Sequence, residues 1–125
     1  IQMLVYLAKA GKTVSSSKLA AAIDVSHRYL LQISAKLRAA GFIWAAHGPS
    51  GGLALDKAPE EISLYDVILG MEGIIKTGEI CGVPSDEVSK EMLMLKNEYR
   101  KVDCMLERVL KEITLARILE ADLYL

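Results

Sequence analysis

The 125-residue chain is 52% hydrophobic and 25% charged, the balance of an ordinary globular domain rather than of a disordered segment. Aromatic residues make up 6%, which disfavours aromatic-cage and base-stacking modules. No apolar run approaches the roughly 18 residues that a membrane span needs. The net charge of −1 conceals a split, because residues 1–57 carry seven Lys or Arg against two acids, and residues 58–125 carry eight against fourteen. A basic first half suits a polyanion. Two cysteines, Cys81 and Cys104, are too few for a secreted disulfide scaffold and fit a reducing cytoplasm. The start at Ile1 rather than Met leaves room for a leader or short arm before it.

Ile1 to Ala10 places Ile1, Leu4, Val5, Leu7 and Ala8 on one broad face and predicts a helix stopped by Gly11. Gly11-Lys12-Thr13 resembles the end of a phosphate loop, but Tyr6 stands where that loop needs its first glycine. Nucleotide binding is rejected. Ser15-Ser16-Ser17 supplies cap hydroxyls for a short helix through Ala20 to Ile23. Asp24-Val25-Ser26 then reads as a tight turn, and Ser26 as the N-cap of a helix from His27 to Ala40 with a buried stripe of Leu30, Ile33 and Leu37. Two short helices across a three-residue turn predict a helix-turn-helix.

Phe42 to Ala45 reads as a strand, 47–52 as a Gly-rich turn and Leu53 to Leu55 as the returning strand. A hairpin directly after the second helix is the wing of a winged helix. Ser63 with Asp66 makes a capping box for a helix from Leu64 to about Glu72, and Gly73 to Pro84 reads as a loop. Ser85, followed by Asp86 and Glu87, is expected to open a long helix. Along it Val88, Met92, Leu95, Tyr99, Val102, Leu106, Val109 and Ile113 repeat with alternating steps of four and three. That 3.5-residue period is a coiled-coil seam, and a rod of roughly 38 Å is too long for the small module before it to cover. A homodimer is expected, with Thr114 to Leu123 as a closing helix. The predicted fold is mainly α with a small β-hairpin wing, divided into a winged helix-turn-helix over 1–73 and a dimerisation segment over 74–125.

Several short motifs then fall in one order: Leu19-Ala20, Val25-Ser26, Tyr29-Leu30 with Gln32, Leu37, Gly41-Phe42-Ile43, Gly48-Pro49-x-Gly51-Gly52, Glu61-Ile62-Ser63-Leu64 with Asp66-Val67, and Ile113-Thr114-Leu115. Together they resemble the bacterial Rrf-two family of winged-helix transcription regulators over nearly the whole chain. The resemblance implies a cytoplasmic homodimer on palindromic operator DNA, most simply a repressor. The chain lacks the three closely spaced cysteines of the family's cluster-binding members, and His47 stands where the wing usually has arginine.

In the recognition helix, burial of Leu30, Ile33 and Leu37 leaves His27, Arg28, Leu31, Gln32 and Lys36 outward. Arg28 suits guanine and Gln32 suits adenine in the major groove. Ser16, Ser17 and Ser26, with nearby backbone N–H groups, suit phosphates. Tyr29 either joins this face or covers the core beneath it. His47, Gly48 and Ser50 place the wing tip on the flanking backbone or minor groove. Cys104 reads as a small buried residue, and Cys81 as the better thiol sensor. With two thiols per subunit, no metal site and no conventional three-cysteine iron–sulfur cluster is expected, a cross-dimer site being left open. Regulation then falls to Cys81 oxidation, a partner protein or a small molecule. No nucleophile or acid–base pair suggests an enzyme. The competing functions are an iron–sulfur or thiol redox sensor using Cys81, and a protein-interaction adaptor that has lost DNA binding.

Overall fold

A computed structural model describes residues 1–80, 82 and 89–122. The order is α1 (Gln2–Ala10), α2 (Ser16–Ala22), α3 (His27–Ala39), β1 (Ile43–Ala46), β2 (Gly52–Leu55), a 3-10 turn (Pro59–Glu61), α4 (Leu64–Glu72), α5 (Thr77–Ile80), α6 (Lys90–Glu112) and α7 (Leu115–Asp122). This is a mainly helical winged helix with one antiparallel hairpin.

Local hydrogen bonds set most helix starts. Ser15 Oγ accepts from the Lys18 amide and Ser26 Oγ from the Tyr29 amide, each satisfying one orphan donor of a first turn. At α4 the box is reciprocal, since Ser63 Oγ accepts from the Asp66 amide while Asp66 Oδ2 accepts from the Ser63 amide. Across the helix-turn-helix, Leu19 and Ala20 of α2 and Leu30 and Leu37 of α3 close on one core with Leu4 and Leu7 of α1. Ile33 is only half-buried, and Ser34 is buried on that face instead. Its hydroxyl tolerates burial by donating to the Leu30 carbonyl at 2.7 Å.

The hairpin pairs Ile43 with Leu55, Trp44 with Ala54, Ala45 with Leu53 and Ala46 with Gly52. Its open edge is tied down by Val14, whose amide and carbonyl both bond Leu53 at 2.9 and 2.8 Å. The glycine pair at the turn is a steric requirement. A Cβ on Gly52 would overlap the Val14 carbonyl, and one on Gly51 would overlap the Ala46 carbonyl oxygen.

Two expectations are corrected. The stretch 73–84 is not all loop, because Thr77–Ile80 forms α5. Its start is satisfied from far along the chain, where Asp103 Oδ1 accepts from the Thr77 amide at 2.8 Å and from Thr77 Oγ1 at 2.6 Å. The long helix takes its N-cap from Ser89, whose Oγ accepts from the Met92 amide, rather than from Ser85, which lies outside the described residues. The hydrophobic core also includes a residue of α7. Leu115 of α7 is fully buried with Leu4, Leu7 and Ile62, and its amide bonds the Ile62 carbonyl. Residues 63 and 114 form a bridge that returns the end of α6 to the start of α4.

Candidate nucleic-acid interface

The two helix N-termini of the helix-turn-helix sit side by side. Ser16 Oγ lies 2.8 Å from His27 Nε2, so the first turns of α2 and α3 are joined at the surface. Of the residues singled out for DNA, Ser17, Ser26, His27, Arg28, Tyr29, Gln32 and Lys36 are exposed and Ser16 is half-buried. The core beneath explains this: Leu30, Ser34 and Leu37 point inward, so Arg28, Leu31, Gln32 and Lys36 on the opposite side of the helix point outward. Tyr29 does not cover the core, because it stays 53% exposed. Leu31 beside it is 48% exposed, an unusual apolar tip on a polar face.

Positive charge on this surface comes from Arg28 and Lys36, about two turns apart, with Lys18 exposed on α2. No Asp or Glu lies between His27 and Trp44. The wing holds His47, Gly48 and Ser50 exposed at its tip, where the Gly51 amide closes the turn on the Gly48 carbonyl at 3.0 Å. Trp44 on β1 is also exposed and was not legible as such, since a lone tryptophan in a short strand reads first as core.

The heptad residues of α6 divide into two sets. Val88 lies outside the described residues. Met92, Tyr99, Leu106 and Ile113 are half-buried, while Leu95, Val102 and Val109 are exposed. Of the first set, Tyr99 and Leu106 line a cavity shared with α4 and α5, and the Ile113 carbonyl accepts from the Leu64 amide at the start of α4. The second set continues into exposed Met94 and Met105. Lys111 lies over the Tyr65 ring at 4.9 Å, and the Glu107 carboxylate bonded to it raises its pKa above the ordinary lysine value.

Cys104 is exposed, correcting the expectation of a small buried residue, and Cys81 lies outside the described residues. Among the described residues no three His, Cys, Asp or Glu side chains come together that could hold a metal ion. No described helix is long and apolar enough to cross a membrane.

These features coincide with known proteins. The family model described as "Rrf2: Iron-dependent Transcriptional regulator" matches residues 1–121. YffB of Lactococcus lactis, classed with the HTH-type transcriptional regulators, is 29% identical over 118 residues, spanning 90% of this chain and 76% of its own. IscR of T. potens superposes with a TM-score of 0.75 at 30% identity, covering 97% of this chain and 80% of that one. CymR, the global cysteine regulator of B. subtilis, superposes with a TM-score of 0.76 at 25% identity, covering 94% of this chain and 87% of its own. With its helix-turn-helix, wing and long helix in the same order, the chain belongs to the Rrf2 family of DNA-binding transcriptional regulators.

Proposed function

We propose that this chain acts as a homodimeric, sequence-specific repressor that inserts α3 into the major groove and rests its wing on the flanking backbone or minor groove. The observation that carries the reading is the outward face of α3, where Arg28, Leu31 and Gln32 are exposed together above a closed core. Each has a base-edge partner: Arg28 the acceptors of guanine, Gln32 the N6 and N7 edge of adenine, and Leu31 a thymine methyl. Ser16, Ser17 and Ser26 at the paired helix starts face phosphates, and Lys36 adds a phosphate contact farther along. His47, Gly48 and Ser50 bring the wing tip to the adjacent groove.

Dimerisation is supported by α6. This 23-residue helix contains no fully buried residue, and Leu95, Val102, Met105 and Val109 form an exposed apolar stripe along it. A second copy is the occupant that suits it, because a twofold pair of recognition helices reads a palindrome and the repeating stripe is self-complementary. Selection of bound duplexes from a random library, followed by fluorescence anisotropy at several salt concentrations, tests the reading. A palindromic consensus bound with a steep negative salt slope is expected. Equal weak binding to all duplexes would overturn it and favour an interaction adaptor.

A further inference from the structure

A cavity of about 450 Å³ opens between the end of α4, α5 and the middle of α6. It falls within the size range of small-molecule sites. Its apolar walls are Tyr65, Ile74, Ile75, Tyr99 and Leu106, and Ile74 at its mouth is left 71% exposed. Three acids also line it, and each is engaged. Glu79 pairs with Lys76 at 3.6 Å, Glu107 with Lys111 at 2.7 Å, and Asp103 holds Thr77. Arg100 lines the same cavity and has no ion-pair or hydrogen-bond partner among the described residues.

We infer that this cavity binds a small monocarboxylate with an aromatic or bulky apolar body. An unengaged guanidinium offers a planar fork that matches one carboxylate in two parallel hydrogen bonds. The tyrosines and isoleucines then receive the apolar body. Lys76 and Lys96 line the same space beside Glu79, Asp103 and Glu107, and because those charges are engaged, the single guanidinium of Arg100 matches one carboxylate better than a phosphate dianion. Of the α6 residues that line the cavity, Tyr99 and Leu106 border the exposed Leu95–Val102–Val109 stripe, whereas Asp103 and Arg100 lie about 100° and 160° around the helix from it, so the guanidinium stays clear of a partner helix on the stripe.

The position also connects to α3. Tyr65 is carried by α4, and on the same helix Gly70 packs so closely that a Cβ there would lie 3.1 Å from the Phe42 ring and 3.3 Å from Ala40, just past the end of α3. A ligand that shifts α4 therefore presses on the C-terminal end of α3. This regulatory consequence rests on the DNA-binding reading above, whereas ligand binding itself does not.

Titration calorimetry of the full chain with phenylacetate, without DNA, tests the site alone. Saturable binding is expected, at least tenfold weaker for Arg100→Met and for the neutral isostere phenylacetamide. Arg100 is exposed, so the variant should keep its helicity by circular dichroism. Ile74→Asp, also at an exposed position, should weaken binding by a similar factor. Absence of saturation at millimolar phenylacetate, or unchanged affinity in Arg100→Met, would overturn the inference. A second titration with the selected operator duplex present reads the regulatory step: altered operator affinity in wild type and none in Arg100→Met supports coupling, and no change in either removes it.

Discussion

Ser16 Oγ and His27 Nε2, eleven positions apart in sequence, stand 2.8 Å apart at the junction of α2 and α3. The contact fixes the ring of His27, the first residue of the recognition helix, against the first turn of α2, at the end of α3 where side chains reach base edges first. It is exposed, so its worth to stability is small, on the order of 1 kcal/mol or less.

Ser16→Ala should therefore leave the thermal midpoint nearly unchanged while weakening operator binding several-fold. Anisotropy titrations beside a thermal melt check this. A variant that melts early yet binds normally would contradict it.

Arg28 and Lys36 should separate by kind of contact. Arg28→Ala is expected to lose about 1–3 kcal/mol on the preferred duplex and relax one base pair of the consensus. Lys36→Ala should weaken all duplexes alike and reduce the salt slope by about one ion. Measuring both variants on specific and random duplexes distinguishes the two roles.

Gly52→Ala should damage the wing. Its Cβ would overlap the Val14 carbonyl, so either the hairpin or the Val14–Leu53 pairing must move. A loss of about 1–3 kcal/mol in denaturant unfolding is expected, as for other overpacked sites. Exchange of the Val14 and Leu53 amides should accelerate together.

On α6 the two halves of the heptad call for different substitutions. Val102→Glu places charge in the exposed stripe and should cost the dimer on the order of 3 kcal/mol without unfolding the protomer. Sedimentation of wild type as a dimer and of Val102→Glu as a folded monomer is the expected outcome. Tyr99 is half-buried beside α5, so Tyr99→Glu should unsettle the protomer as well.

Asp103→Ala removes the carboxylate that starts α5. The Thr77 amide and hydroxyl then lose their shared acceptor, at a cost of about 1–3 kcal/mol for the part-buried group. Hydrogen exchange should show the Thr77 amide deprotected while the amides of α3 stay slow.

Much of this architecture is legible along the chain because its signals are local. Ser26 caps α3 through an amide three residues away, the Ser63–Asp66 box closes over the same interval, and Leu30 and Leu37 mark an inward face by period alone. The Gly51-Gly52 pair announces the turn, although only the fold supplies its reason, the close approach of Val14 from outside the hairpin. Period likewise marks the α6 heptad but does not say what lies opposite each residue. Packing of α4 and α5 takes Tyr99 and Leu106 for the chain's own surface and leaves Leu95, Val102 and Val109 outside. Cys104 reads as buried from its residue type and is exposed, on the rim of the cavity between α4, α5 and α6. α5 depends on an acceptor 26 residues away, so no window around Thr77 contains its cause. Sequence by itself determines the elements held by bonds of three or four residues' reach; the tertiary structure decides which faces meet, since burial and long-range capping depend on what other segments bring into contact.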